Sequence, residues 1–465
     1  MIVCKFGGSS LDGAAGFERV AAILRGHLAA RPVVVVSAIG KTTRSLLDSA
    51  EAAAAGSLAE ALAGCEALHE LHRREAAAAV APADLVRLSA AIERTFGELR
   101  QLLRRLAEAR LLTPRDADAA AAFGEVLASE IMALALPRFG IAAAWIDARR
   151  VIVTDDAFTR ARPLYGDTDS RLRAAILPLL AAGTIPVLGG YIGATRDGAV
   201  TTLGKEGSDF SAAIVGAALG AGEVQLWTDV DGILTADPRL VPGARRIRTL
   251  SFAEALELAC AGAKKPHPGT LGPASRAGIP IRILNSLDPG GEGTLIGRRS
   301  AEPPVSVKSL ACRSNAHLLH VAPRAGAGTP LPGAADGAFA GLVQEVVERL
   351  RPALLVLRLD GGGAHLALDR AERLPEVREA LAAAAGEIGV LHGRAVVSLV
   401  SEDLAGDPGL LARTLEAAAD LQPRLVVAGA AAPAVRCLVE MEDLPAAAGA
   451  LHGRLFPDGG PAVVE

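Results

Sequence analysis

Aromatic residues are scarce in this chain: two Trp, two Tyr and ten Phe make up 3% of its 465 residues, against an apolar content of 51%. A core of that composition leans on alanine and predicts tight helix packing. Excess charge of either sign is also missing. Lys and Arg number 48 and Asp and Glu 52, for a net charge of −4, which gives no reason to expect nucleic acid or an anionic membrane as partner. Cysteines are few and odd in number. Cys4, Cys65, Cys260, Cys312 and Cys437 are too widely spread for a disulfide framework or a metal motif, which points to reduced thiols in a cytoplasm. No long apolar run is uninterrupted. The longest uncharged window, 174–195, is broken by Pro178, Gly183, Pro186, Gly189 and Gly190, and reads as a helix end, a buried strand and a loop. The N-terminus lacks the basic start, apolar core and cleavage site of a signal peptide. Two nucleotide motifs are absent too, since nothing matches GxxxxGK[ST] and Gly7-Gly8-Ser9-Ser10 is not a dinucleotide fingerprint. Nothing resembles a serine or histidine triad.

What the chain does contain is a recurring unit of apolar strand, small or hydroxyl turn and helix. Residues 2–6 form a strand that ends on Lys5 and Phe6, followed at once by Gly7, Gly8, Ser9 and Ser10 and then by apolar residues at helical spacing, Phe17, Val20, Ala21 and Leu24. A lysine at a strand end beside glycine amides is placed to meet a phosphoryl group. Residues 33–36 read as a buried strand before the polar turn Ser37, Gly40, Lys41, Thr42 and Thr43. A third unit lies at 201–239, where Gly204 and Gly207 flank Lys205, and Ser208 is expected to N-cap the helix 210–219 with Asp209 in its first turn. An acid there repels a bare phosphate unless a cation lies between them. Open α/β sheets bind ligands at the carboxyl ends of their strands, and all three turns sit at such ends. Asp155 and Asp156, after a strand-like 151–153, read as a solvated turn.

Six motifs in order, KFGGSS (5–10), SAIGKTT (37–43), FGEVLAS (123–129), TLGKEGSD (202–209), WTDVDGILTADPR (227–239) and GAKKPHP (262–268), resemble those of the aspartate kinases. The resemblance runs from residue 1 to about 297, and the remaining chain resembles that family's paired regulatory ACT domains. It implies an α/β fold: a three-layer αβα amino-acid-kinase domain with a mainly parallel central sheet at 1–297, carrying a helical insertion at about 45–112. Two ferredoxin-like ACT domains would follow at 305–392 and 393–465. The implied reaction is ATP-dependent phosphorylation of the side-chain carboxylate of L-aspartate, the first step toward lysine, threonine and methionine through the diaminopimelate pathway. ATP would serve as co-substrate with Mg2+ on its phosphates, and no metal site of the protein's own is implied. Two alternatives stay open: a related amino-acid kinase with another carboxylate acceptor, and a catalytically weak effector-binding protein.

The resemblance also implies roles position by position. Lys5 and Asp209 are the implied catalytic pair, and Ser37, Thr43, Glu125, Lys205 and Ser208 the implied aspartate contacts. Phe6, Gly7, Gly8, Thr228, Asp229, Leu234, Arg239, Lys264 and Lys265, together with Lys5, are the implied ATP contacts. A homodimer through the ACT domains, or a tetramer, with lysine or threonine as effector, is the implied assembly. The chain departs from the family pattern at three places. Lys205-Glu206 stands where an arginine-glycine pair is usual, Leu234 where a tyrosine is usual, and Lys265-Pro266 where valine-leucine is usual. Lysine cannot make the two-pronged carboxylate contact of an arginine, and Glu206 adds negative charge beside anionic substrates. The tail reads as two βαββ-like units of similar length, and at 359–363 the first offers few side chains to an effector.

Overall fold

The computed structural model describes residues 1–263, 265–298, 307–323, 337–350, 354–360, 363–369, 371–382, 385–428 and 433–456. They fall into two compact units, Met1–Ile233 with Pro266–Arg299, and Leu234–Lys265 with Ser300–Glu465.

The first unit begins with β1 (Ile2–Phe6), α1 (Ala14–Arg25) and β2 (Pro32–Val36), then four helices in succession: α2 (Thr42–Ala54), α3 (Leu58–Ala79), α4 (Pro82–Ala109) and α5 (Pro114–Ala135). Next come β3 (Ala143–Ile146), α6 (Ala148–Val151), α7 (Tyr165–Ala181), β4 (Ile185–Gly189), β5 (Ile192–Ala194), β6 (Val200–Thr202), α8 (Gly207–Leu219) and β7 (Glu223–Thr228). In chain order β8 (Thr249–Ser251) and α9 (Phe252–Cys260) belong to the second unit, before α10 (Pro268–Ala277), β9 (Ile281–Asn285) and β10 (Thr294–Gly297) return to the first.

The first unit's strands lie in the order β3-β4-β2-β1-β7-β9-β10. In this sheet β1 pairs in parallel with both β2 and β7 and β10 runs antiparallel to β9, while β5 and β6 form a separate antiparallel pair. Every residue of β2, PVVVV, is buried, as expected of a parallel strand covered on both faces. The helical insertion follows the expected stripe: Leu88, Ile92, Phe96, Leu99, Leu103 and Leu106 of α4 are buried. Thr113 caps α5 by accepting from the Asp116 amide. With the turn after it, Pro114–Phe139, this helix is long and apolar enough to cross a membrane, but 78% of its most apolar window is buried inside the fold. The window 174–195 contains the end of α7, β4 and a loop into β5, as its Pro and Gly residues required.

Three local expectations are corrected. Val151 ends α6 rather than opening a strand, because the Asp147 side chain accepts from the Arg149 amide and starts a helical turn there; Val153 forms only a single bridge, to Ala194. The helix expected at 210–219 with Ser208 as its N-cap begins at Gly207 instead, with Glu206 in the cap position and no side-chain cap. The glycine cluster 290, 291 and 293 reads from the sequence as a domain exit, but it marks a hairpin between β9 and β10. A Cβ on Gly293 would lie 2.0 Å from the Ile283 carbonyl oxygen, so only glycine closes that turn.

The second unit continues with β11 (Ser309–Pro323), α11 (Gly337–Leu350), β12 (Leu354–Asp360), β13 (Gly363–Leu368), α12 (Leu374–Ala382), β14 (Ala385–Val400), α13 (Pro408–Ala419), β15 (Leu425–Ala428), β16 (Ala434–Glu440) and α14 (Leu444–Leu455). One antiparallel sheet, β12-β13-β11-β14-β16-β15, takes strands from both repeats. β11 and β14 are long because each passes from one repeat into the other. The sequence reads as two separate strands at 305–311 and 317–321, of which 305–306 lie outside the described residues; the structure joins 309–311 and 317–321 into the single strand β11, with a register shift between Arg313 and Ala316. Separate apolar clusters back the two halves of the sheet, one around Leu319, Val343 and Leu366, the other around Val397, Val435 and Leu451.

Candidate active site

Lys5 is the penultimate residue of β1, the central strand, and its side chain is only 5% exposed. A buried ammonium needs an anion, and the Lys5 Nζ lies 2.6 Å from Asp209 Oδ1 in the first turn of α8. The glycine turn after β1 is as tight as its sequence predicted. The Gly7 amide donates to the Trp227 carbonyl at the end of β7, and a Cβ on Gly8 would fall 2.7 Å from the carbonyl oxygens of both Ala38 and Gly40. A short 3-10 stretch, Gly8–Leu11, precedes α1, so the turn leads into the helix less directly than the apolar spacing implied. Phe6 is a core residue, its ring stacked on Trp227 at 6.1 Å; its carbonyl accepts from the Ser37 amide, which fixes the turn after β2 against the turn after β1.

Glu125 comes from the middle of α5 and is 3% exposed. The Thr43 hydroxyl donates to its Oε1 at 3.2 Å. Burial pushes the Glu125 carboxyl up to about 8; the Ala38 amide, the Thr43 hydroxyl and the charge of Lys5 pull the other way without overcoming it. The floor of this site is glycine by necessity. A Cβ on Gly189 would lie 2.9 Å from the Glu125 carbonyl oxygen, and one on Gly190 would lie 2.7 Å from Ser208 Cβ. The chain thus brings Lys5, Asp209, Ser208, Thr43 and Glu125 together from β1, α8, α2 and α5, five of the sequence-predicted residues, with Ser37 half-buried at the end of β2.

Lys205 is exposed and Glu206 half-buried at φ +55°, a left-handed position that an acyclic side chain occupies at a cost. His267 was quoted only as part of a motif, yet it belongs here. It caps α10 by accepting from the Gly269 amide, burial lowers its pKa, and the charges acting on it are Glu206, Lys205 and Asp209. Thr228 ends β7 and Asp229 follows it, with the Thr228 hydroxyl donating to Asp229 Oδ1 at 3.0 Å. Behind them Ser10 and Ser286 share a 2.8 Å hydroxyl contact, and the Ser286 hydroxyl donates to the Thr228 carbonyl. Ser286 lies beyond every recognised motif, so no sequence signal marked it. Leu234, Arg239 and Lys265 fall in the second unit. There Arg239 is exposed and makes a two-pronged pair with Asp237, and Leu234 forms a bridge with Arg246. Lys264 lies outside the described residues.

The chain that carries this buried lysine-carboxylate pair is similar to known proteins over most of its length. The family model described as the amino acid kinase family matches residues 1–285. The chain belongs to the amino acid kinase family. Within it, the chain is similar to the lysine-sensitive aspartokinase 3 of Escherichia coli (strain K12), at 36% identity over 321 residues, 69% of each chain. It is also 36% identical over 324 residues to the chloroplastic aspartokinase 2 of Arabidopsis thaliana, a match that covers 69% of this chain and 58% of that one. The chain thus spans little more than half the length of the plant enzymes it matches. Among solved structures, E. coli aspartokinase III in complex with aspartate and ADP superposes with a TM-score of 0.82 at 30% identity, covering 98% of this chain and 100% of that one. The same enzyme in complex with lysine and aspartate gives 0.78 at 30% identity. The kinase fold, a mainly parallel sheet followed by an antiparallel regulatory-type sheet, is therefore shared over nearly the whole chain.

Proposed function

We propose that this chain is an aspartate kinase, transferring the γ-phosphoryl group of ATP to the side-chain carboxylate of L-aspartate to give 4-phospho-L-aspartate. The observation that carries the reading is the buried Lys5–Asp209 pair at the glycine turn, with Glu125 close enough to feel the lysine's charge. A carboxylate oxygen attacks the γ-phosphorus, the new P–O bond forms as the bond to the β–γ bridging oxygen breaks, and ADP leaves. No general base is needed, because the acceptor is already ionised at neutral pH. Catalysis then rests on alignment and on charge placed where it develops. Lys5 is a point charge for the transferring group, held in place by Asp209. Glu125 and Thr43 receive the ammonium end of the acceptor, with Ser37, Lys205 and Ser208 around its carboxylates. Gly7, Gly8, Thr228 and Asp229 line the nucleotide side. Among the described residues no group of three or more His, Cys, Asp or Glu forms a metal site. Magnesium would arrive on the phosphates of ATP, where few protein ligands are needed.

The regulatory reading assigns 1–297 to the kinase domain, 305–392 and 393–465 to two ACT domains. The shared six-stranded sheet supports it, as does the lysine named in the complex of the E. coli enzyme. A homodimer or tetramer with lysine or threonine as effector follows from that reading, and five free cysteines fit a reducing cytoplasm. Exposed Lys205 beside left-handed Glu206 favours one competing reading, a kinase for a different carboxylate acceptor. An acceptor screen separates them: ADP release is measured with aspartate, glutamate and other amino acids that carry a side-chain carboxylate. Strong preference for aspartate supports the proposal, preference for another acceptor overturns it, and no ATP binding by calorimetry leaves the weak effector-binding reading.

A further inference from the structure

One buried carboxylate takes no part in the chemistry above. Asp118 lies on α5 seven residues before Glu125, two turns along the same face, and is 1% exposed. It faces no cation; three donors satisfy it instead. Oδ2 accepts from the Thr202 amide and from the Thr159 amide, both at 2.9 Å, and Oδ1 accepts from the Thr202 hydroxyl at 2.6 Å. Thr202 is the last residue of β6, and the five residues after it lead directly to Ser208 and Asp209.

That short segment is poorly determined by its own residues. Gly204 is left-handed at φ +82°, Glu206 is left-handed at φ +55°, and α8 starts without a side-chain cap. Its amides donate to the Tyr191 carbonyl from Leu203 and to the Gly204 carbonyl from Gly207, and its last two carbonyls, Glu206 and Gly207, accept only from α8. Strained backbone persists only where the surroundings over-determine it. One clamp is Tyr191, itself at φ +66°, whose ring closes on Gly207 so tightly that a Cβ there would lie 2.6 Å from the ring. The other is Asp118, and burial raising its pKa is consistent with a carboxylate held by hydrogen bonds alone.

We propose that Asp118 is a positioning residue for phosphoryl transfer, anchoring Thr202 and Thr159 so that the 203–207 segment delivers Ser208 to the acceptor and Asp209 to Lys5. The proposal rests on the kinase reading of the site. Its charge is not the essential property. An asparagine placed there keeps an oxygen toward the two amides and turns its NH2 toward the Thr202 hydroxyl, which then accepts.

The test uses the full chain with Asp118→Ala and Asp118→Asn. Steady-state kinetics and amide hydrogen exchange are read side by side. Asp118→Ala is expected to raise KM for aspartate at least tenfold and to speed exchange over residues 203–209, while the β7 amides stay protected as in the parent. Asp118→Asn is expected to stay within threefold of the parent in both measurements. Parent-like KM and exchange in Asp118→Ala overturn the proposal, as does a loss of protection spread evenly over the first unit, which marks a general packing role. If the parent itself fails to turn over aspartate, the acceptor reading fails while exchange at 203–209 still decides the role of Asp118.

Discussion

Replacing Glu125 with glutamine separates stability from function at one atom. The carboxyl stays protonated in the folded chain up to about 8, against an ordinary 4.5, because burial disfavours its charge. Between those two values the folded state holds a proton that the unfolded chain has lost. Stability therefore falls as pH rises from about 4.5 to about 8 and levels off above. The penalty works out at about 1 kcal/mol at pH 5, about 3 kcal/mol at pH 7 and roughly 4–5 kcal/mol at pH 9, taking 1.36 kcal/mol per pH unit. Glutamine keeps the shape and an oxygen for the Thr43 hydroxyl but carries no charge. Glu125→Gln is thus expected to match the parent near pH 5 and to exceed its unfolding free energy by several kcal/mol at pH 9, while losing acceptor binding. Calorimetric unfolding across pH 5–9, following the transition of the kinase unit, measures the first effect. In the parent, affinity for an acceptor ammonium should rise about tenfold per pH unit from pH 6 to pH 8, because that ligand selects the ionised carboxylate. A stability difference between variant and parent that does not change with pH would refute the assignment of a proton to buried Glu125.

Two further outcomes follow from the same geometry. Lys5→Met removes the ammonium from the 2.6 Å pair with buried Asp209 and should lose about 3–5 kcal/mol of stability along with at least a hundredfold in turnover. Lys5→Met with Asp209→Asn should regain most of that stability in denaturant unfolding and none of the turnover; a single variant as stable as the parent would contradict the buried pair. Glu206→Gly relieves a left-handed glutamate and should raise stability by about 1 kcal/mol, read as a higher melting temperature. Combined with Lys205→Arg it should lower KM for aspartate, and an unchanged or higher KM counts against aspartate as acceptor.

Much of the site was legible because each motif is local. A lysine at a strand end, two glycines and a hydroxyl turn are neighbours in sequence, and the physics of a strand end beside free amides needs no distant partner. The chain around Ser208 shows where that reading fails. Serine is a good cap by its own chemistry, yet the cap lies two residues earlier and Ser208 is already inside the first turn, because Gly207 is drawn against Tyr191 and Glu206 is forced into a left-handed cap. Gly293 misled in the opposite way: a glycine cluster marks a break, but whether the chain leaves or folds back depends on the neighbouring strand.

The sequence by itself determined the order of elements, the all-apolar strands that make a parallel sheet, the alanine-rich helices and the residue types at the strand ends, since all of these follow from periodicity and backbone preference. Only the tertiary structure decided that Lys5 and Asp209, 204 positions apart, neutralise each other at 2.6 Å. The raised pKa of Glu125, the anchoring of Thr202 by Asp118 and the enrolment of His267 are decisions of the same kind. Desolvation and charge pairing depend on distances in space, and no spacing along the chain encodes them until the sheet and α5 have closed around the site.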